Sequence, residues 1–277
     1  MIDTNDLAIV IIGYDGYSFL WDDFFGLLKR NWPNCPYNIY LLSNEIIYND
    51  SNIQTITTDV SAEWSTKVQI AVNTIQANYF LLLLEDFFIS SPVDTEEIDN
   101  ILQFAKKNNI SYIKMPYKSQ YNKWKKNRFK KDVNYYSLYK DEKYNISLLP
   151  SIWKRDFLKE KVGSGNYRPW QFEIDRIDEA SNAPHIEFDD CVELQTNPFN
   201  ILNGVVQGKY LPTTLRTLRK KGWIIEPVNL EVMSWSKYFL FRIKTIGLIY
   251  IPKKLHDPIK KILRKFNIKF VSETRRG

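Results

Sequence analysis

The chain predicts an α/β fold, a mostly parallel sheet flanked by helices. Three observations carry that expectation. Leu7–Ile12 and Tyr79–Leu84 are unbroken apolar runs of strand length, as strands buried on both faces require. Between such runs lie stretches with apolar residues at helical spacing, and alternation of this kind implies βαβ units. The run from Leu81 to Ile89, Leu-Leu-Leu-Leu-Glu-Asp-Phe-Phe-Ile, breaks into two adjacent carboxylates, Glu85 and Asp86. Ligands of open α/β sheets bind at the carboxyl ends of the strands, so these acids mark a candidate site.

Each element can be justified in turn. Leu7–Ile12 is a strand stopped by Gly13, and Tyr14 to Tyr17 is a turn. Ser18–Asn31 reads as a helix with Phe19, Phe24, Leu27 and Leu28 on one face and Lys29 and Arg30 at its C-terminus, where cations complement the helix dipole. Trp32-Pro33 and Cys35-Pro36 end it. Tyr37–Ser43 and Ile53–Thr57 are the next strands, and Asp59 to Ser61 caps a helix over 62–77. Tyr79–Leu84 is the fourth strand; Thr95 caps a helix over 96–108, and 111–115 is the fifth strand. Alternation weakens after residue 116. Tyr135–Leu149 reads as a hairpin about the Lys140 to Lys143 turn, Trp153–Lys161 and Trp170–Ala180 as helices, and 213–221 and 256–266 as short basic helices. The domain expectation is one body over 1–235, with halves 1–116 and 117–235, and a basic segment over 236–277.

Composition removes several functions. Two His and two isolated Cys, Cys35 and Cys191, leave little material for a zinc site or a Ser-His triad. Neither a GxGxxG nor a GxxxxGK[ST] motif occurs, which disfavours dinucleotide dehydrogenases and P-loop NTPases. Met1 to Asp6 is polar and no stretch of about 20 uncharged apolar residues occurs, so the expected location is cytoplasmic. The net charge of +6 is uneven: 236–277 carries +10 and 114–133 carries +7, which leaves −11 for the rest. An acidic body with basic patches favours local attraction of an anionic partner over a nucleic-acid surface, and no nucleic-acid partner is expected. The 236–277 patch mixes Phe and Ile with Lys and Arg, which suits an anionic membrane surface or a packing segment with a solvated tail.

The candidate residues follow from position. Gly13, Tyr14 and Asp15 lie at the end of the first strand, where a carboxylate accepts a base N–H or a ribose hydroxyl; an Asp in a plain β-turn is the alternative. Asp59, Trp64, Ser65 and Lys67 open a helix whose N-terminus and lysine suit phosphate, or simply cap and staple it. Glu85 and Asp86 suit a divalent cation, a hydroxyl, or half of an acid pair. Glu173 follows Pro169 and Trp170 in a first helical turn, and aromatic neighbours raise a carboxyl pKa by desolvation, which suits a general base.

Taken together, Gly13-Tyr14-Asp15-Gly16-Tyr17, Trp32-Pro33, Tyr40 to Asn44, Trp64-Ser65, Leu84-Glu85-Asp86-Phe87-Phe88, Ile152-Trp153-Lys154 and Pro169 to Glu173 resemble bacterial GT-A-type glycosyltransferases of capsule and lipopolysaccharide biosynthesis, over about residues 7–210. The resemblance implies a GT-A-like Rossmann-type sheet and a nucleotide-sugar donor bound by the first half. It implies a saccharide or lipid-linked acceptor bound by the second half, with Trp153 and Trp170 among its contacts. It also implies Glu173 as base in an inverting displacement, and Mn²⁺ or Mg²⁺ held by Asp86 and Glu85. Phe87 stands where the family's second metal-binding Asp would follow, so metal independence stays open, with Lys118 to Lys131 or Lys209 able to neutralise the diphosphate. A nucleotidyltransferase, a hydrolase pairing Glu85 or Asp86 with Glu173, and a non-catalytic module of a polysaccharide assembly complex are the competing readings.

Overall fold

The computed structural model describes residues 6–116, 127–130 and 133–242. The chain divides into two compact units, Met1–Val205 and Val206–Gly277.

The first unit is a mixed α/β sandwich around a nine-stranded sheet. Its strands in chain order are β1 (Leu7–Ile12), β2 (Asn38–Ser43), β3 (Ile53–Thr57), β4 (Tyr79–Leu83), β6 (Tyr112–Lys114), β7 (Asn127–Lys130), β8 (Val133–Tyr139), β9 (Ser151–Lys154) and β10 (Glu187–Leu194). They lie in the order β3-β2-β1-β4-β9-β6-β10-β8-β7. Seven run one way, while β9 and β8 run against them. A separate ladder pairs β5 (Phe87–Ile89) with β11 (Ile201–Asn203) antiparallel.

The order places β1 between β2 and β4 because every residue of Leu7–Ile12 is buried. Only a strand covered on both faces rewards such a run. Helix α1 (Trp21–Asn31) carries the chain from β1 out to β2, and α2 (Trp64–Thr74) carries it from β3 back to β4. Right-handed crossovers in opposite directions put these helices on opposite faces. One core cluster accordingly joins Ala8, Val10 and Ile12 of β1 to Val68 and Ala71 of α2, and excludes α1. Helices α4 (Arg155–Val162) and α5 (Pro169–Asn182) add Leu158 and Phe172 to that same cluster.

Four expectations need correction. The helix after β1 starts at Trp21, preceded by a 3-10 stretch, Asp15–Leu20, in which Tyr17 departs from helical angles. Helix α3 (Thr95–Lys107) is capped by Asp94, whose side chain accepts the Glu96 N–H at 2.9 Å; Thr95 instead accepts the Trp32 indole N–H. The 135–149 hairpin does not form. Its first arm is β8, paired with β7 and β10. Beyond it the Asn145 side chain donates to the carbonyls of Tyr139 and Lys140, at 3.0 and 2.8 Å, and curls the chain. Trp153 lies in a strand, not a helix: β9 slots antiparallel between β4 and β6, and Ile152 and Trp153 are fully buried there. The demand for a strand in that gap overrides local propensity.

In the second unit, after β12 (Val205–Val206) at the boundary, the described elements are β13 (Lys209–Tyr210), α6 (Pro212–Lys220) and α7 (Trp235–Arg242). Tyr210 bridges Val232, Lys209 pairs with Glu231, and α7 has no buried residue. The expected helix at 256–266 lies outside the described residues, as does most of the 114–133 basic patch. Among the described residues, no helix is long and apolar enough to cross a membrane.

Candidate functional site

The sheet order reverses between β1 and β4, and one crossover leaves to each side, the position at which open α/β sheets bind ligands. The backbone N–H of Tyr14, just beyond β1, donates to Glu85 Oε1, just beyond β4, at 3.2 Å. Glu85 and Asp86 occupy the centre of a tight turn closed by Phe87 N–H to Leu84 O at 3.1 Å. The β5–β11 ladder leaves that turn, and Gly204 N–H donates to Asp86 O at 2.6 Å. The adjacent acids are thus fixed at the strand end by backbone contacts on both sides.

A buried cation lies beneath them. Lys67, on the first turn of α2, is 3% exposed. Its Nζ donates to Gly13 O and to Asn44 Oδ1, each at 2.7 Å. Asn44 in turn donates to the carbonyls of Asp59, at 2.9 Å, and Ala62, at 3.0 Å. Burial lowers the Lys67 pKa, opposed by the charges of Asp15, Glu85 and Glu63. Gly13 itself is packed closely: a Cβ there would lie 2.9 Å from Leu41 Cδ1, 3.2 Å from Trp21 Cζ2 and 3.3 Å from Leu42 O.

Asp15 closes the other side. Its carboxylate accepts the N–H groups of Asn44 and Glu45 at 2.8 Å and of Ile46 at 3.0 Å. Burial works to raise its pKa, but these bonds and Lys67 outweigh it, and the net shift is downward. Asp15 therefore stays charged and holds the loop after β2 against the turn after β1.

The acids beside this network behave differently. Burial, then repulsion from Asp86, pushes Glu85 up to about 8. Burial likewise pushes Asp86 up to about 7, against backbone hydrogen bonds that include Val205. Tyr17 feels both: burial raises its pKa first, then the charges of Asp86 and Glu85. Whether Mn²⁺ or Mg²⁺ fits depends on the donor set. The two carboxylates are hard oxygen ligands whose charged forms are disfavoured, and a dication would relieve that. Among the described residues no group of three or more His, Cys, Asp or Glu could hold a metal. The pair thus suits the mode in which one or two carboxylates hold the ion and water and substrate phosphates complete its shell. It does not suit an all-protein cage.

The second half reaches the same sheet edge. Antiparallel β9 begins there, with Ser151 opposite Leu82 of β4 and Lys114 of β6. Just before it, Leu148 N–H donates to Glu173 Oε1 at 2.7 Å. The other oxygen, Oε2, is shut from solvent without a hydrogen-bond partner. Burial raises the Glu173 pKa, opposed by the Leu148 N–H and Lys114. The loop before α5 is clamped to the start of α2: Ser65 Oγ donates to Gly165 O at 3.0 Å and accepts Tyr167 N–H at 2.8 Å.

Several candidate residues thus change role. Trp153 was expected to meet an acceptor, but it is 0% exposed, packed on Tyr112 at 4.4 Å with its indole N–H on Ser151; no ring face is left for a ligand. Trp64 is buried between Tyr167 and Phe172. Ser65 and Lys67 spend their polar groups inside the chain and position the site without facing phosphate. Tyr14 (60% exposed) and Trp170 (52% exposed) remain accessible, as does Asp59, whose carboxylate is kept acidic by the Ser61 hydroxyl and N–H. Lys209, expected as a diphosphate partner, pairs with Glu231. Asn44, Tyr17 and Lys114 were missed. Lys114 left a signal, being a lysine inside an otherwise apolar strand; Asn44 and Tyr17 entered only as parts of the Tyr40 to Asn44 and Gly13 to Tyr17 stretches, with no site role of their own. A cavity of about 270 Å³, lined by Asn78, Tyr79, Lys106, Lys154 and Arg155, opens at the opposite, amino end of β4.

No protein-family model matches the chain, and no curated protein does. Solved structures do. TarS 1–349 from S. aureus in complex with UDP-GlcNAc is 12% identical, over 68% of this chain and 58% of that one, with a TM-score of 0.40. A cytidylyltransferase from Leptospira borgpetersenii is 10% identical, over 90% and 98%, at 0.44. A nucleotidyl transferase from Methanothermobacter thermautotroptrophicus is 13% identical, over 62% and 84%, at 0.36. The chain spans about six tenths of TarS 1–349. None of the three superpositions reaches a TM-score of 0.5, and function has to be argued from this chain's own residues.

Proposed function

We propose that this chain is a glycosyltransferase that binds a nucleotide-activated sugar at the carboxyl ends of β1 and β4 and transfers the sugar to a saccharide or lipid-linked acceptor. One observation carries the reading: the Tyr14 to Glu85 hydrogen bond joins the two strands between which the sheet order reverses, the place where such sheets bind nucleotides. Tyr14 and Asp59 flank the base and ribose. Asp86, with Glu85, faces the diphosphate and would hold Mn²⁺ or Mg²⁺, which neutralises the charge of the leaving group when bound. Glu173, anchored through Oε1 by the Leu148 N–H, takes the acceptor's proton in an inverting transfer, which requires a bound acceptor to open the way to Oε2, closed to solvent in this structure. The acceptor's place is surface polysaccharide biosynthesis, in capsule or lipopolysaccharide.

A thermal-shift screen with UDP, GDP, CMP and their sugars, with and without Mn²⁺, tests this reading. A nucleotide at a hundredfold its Kd should stabilise the fold by about 2.7 kcal/mol. A protein whose midpoint none of them moves does not bind a nucleotide sugar. Release of pyrophosphate from a nucleoside triphosphate and a sugar phosphate would replace this reading with a nucleotidyltransferase.

We also propose that the second unit meets an anionic membrane at the inner face of the cytoplasmic membrane. Helix α7 buries none of its residues and exposes Trp235, Phe239 and Leu240. The 236–277 stretch carries +10, and apolar side chains beside basic charge bind anionic lipid. The full chain should cosediment with vesicles containing phosphatidylglycerol and not with pure phosphatidylcholine. Trp235→Ser with Phe239→Ser should weaken that binding several-fold, and equal binding by the double variant would refute the proposal.

A further inference from the structure

Three cations meet at the amino end of β4, away from the candidate site. Antiparallel β9 ends where β4 begins, with Lys154 opposite Tyr79, so the next residue, Arg155, opens α4 at that end of the sheet. Its backbone N–H donates to Asn78 O at 2.9 Å. Lys106, on the last turn of α3, reaches the same place. All three residues line the cavity of about 270 Å³. That volume lies just below the roughly 300–1,000 Å³ of pockets for drug-sized ligands, which suits one charged group with a short organic attachment.

The charges around this cavity are unequally spent. Lys106 pairs with one carboxylate oxygen of Asp6, and the other oxygen accepts the Asn78 side-chain N–H at 3.0 Å. Lys154 Nζ donates to Asn109 Oδ1 at 2.7 Å, a neutral partner, and the NH₂ of the same amide adds donors at the cavity. Arg155 has no carboxylate partner among the described residues. Helix α4 has no side-chain cap, and the first N–H groups of a helix lack intrahelical acceptors and attract anions. Asp156 is the opposing charge: it lines the cavity, is exposed, and has no ion-pair partner among the described residues. Lys154 and Arg155 together outweigh it.

We infer that this cavity binds a phosphate group, free or as the monoester of a small molecule. The Arg155 guanidinium supplies a planar fork to two of its oxygens and Lys154 a point charge. Asn109 and the first turn of α4 add neutral N–H donors. A carboxylate would satisfy the fork and leave Lys154 without a charge to meet, whereas a phosphate monoester carries about −1.5 to −2 charges at pH 7 and meets both. The cavity lies at the opposite end of β4 from Glu85 and Asp86, so a phosphate held there is separate from any nucleotide at the carboxyl ends and does not depend on the transferase reading.

Isothermal titration calorimetry of the full chain tests it, with inorganic phosphate, D-glucose 6-phosphate and acetate as probes at physiological ionic strength. At least one phosphate probe should bind, and acetate far more weakly. Arg155→Met should weaken phosphate binding at least about tenfold, the worth of one charged hydrogen-bonded contact, and Lys154→Met several-fold. Asp156→Asn should tighten it several-fold, because the opposing charge is gone. Tighter binding of glucose 6-phosphate than of inorganic phosphate upholds the site and makes its ligand a monoester; the reverse order upholds it for free phosphate. A wild type that binds neither phosphate probe overturns the inference, as does binding that Arg155→Met leaves undiminished. Acetate held as tightly as phosphate also overturns it. If Arg155→Met lowers the thermal midpoint, Asp156→Asn decides: tighter binding upholds the site and unchanged binding sinks it.

Discussion

In EDTA, Glu85→Gln should raise the thermal midpoint at pH 8 by on the order of 5–10 °C and should change it far less at pH 5. The unfolded chain ionises this glutamate near 4.5, whereas the fold holds its proton up to about 8. Between those values the native state binds more protons than the unfolded state, so stability falls as pH rises. The stability is fully present below about 4.5 and is lost as pH climbs through about 8. Asp86, raised from 3.8 to about 7, adds a slope of the same sign. The rise from 4.5 to about 8 corresponds to roughly 5 kcal/mol for Glu85 taken alone. Coupling between neighbours reduces the share that one substitution recovers, so about 3 kcal/mol is expected from Glu85→Gln at pH 8. Gln still accepts the Tyr14 N–H, so the hydrogen bond at the sheet reversal survives. Mn²⁺ supplies the complementary test. It should stabilise the wild type more at pH 8 than at pH 5, because only the ionised pair binds it, and it should stabilise Asp86→Asn little. A wild type whose midpoint is flat from pH 5 to pH 8 in EDTA would show that the acids are not held in the low-dielectric setting described here.

This pair was legible in the sequence because its signal is local. An apolar run that ends in two acids needs no knowledge of the rest of the fold, and strands β1 and β3 were read to the residue for the same reason. What failed was whatever depends on distant partners. Lys67 opens a helix beside the strand ends, which suits a phosphate-binding cation. Only the fold shows that Gly13 and Asn44 take its three-proton head at 2.7 Å each. Trp153 lies in a Ser-Ile-Trp-Lys stretch too short to declare itself a strand, and the gap between β4 and β6 decides its conformation. Strand β10, Glu187–Leu194, was missed because Asp189 and Asp190 depress strand propensity, yet its Cys191 and Val192 pair with β6. Tyr144 carries no sequence signal of its left-handed backbone, which a lysine thirty residues away helps to hold.

Glu173→Gln should lower turnover by about 10²–10⁴-fold while leaving nucleotide affinity unchanged. The amide keeps its size and its oxygen can still accept the Leu148 N–H, so positioning is retained and only the capacity to take a proton is lost. Because burial raises the Glu173 pKa, the acidic limb of the rate profile should sit above the ordinary glutamate range, with activity rising as the carboxyl ionises. Lys114 works against that shift. Lys114→Met should therefore push the limb to still higher pH, whereas a purely structural loss would lower the rate without moving it. Glu173→Gln should also gain some stability on the alkaline side, since the fold no longer has to hold a disfavoured buried charge. Turnover by Glu173→Gln equal to the wild type would assign proton removal elsewhere. Glu85 and Asp86 could then claim the role only if their substitution reduced the rate with donor still bound, because their place at the reversal of the sheet suits the leaving diphosphate better than the incoming hydroxyl.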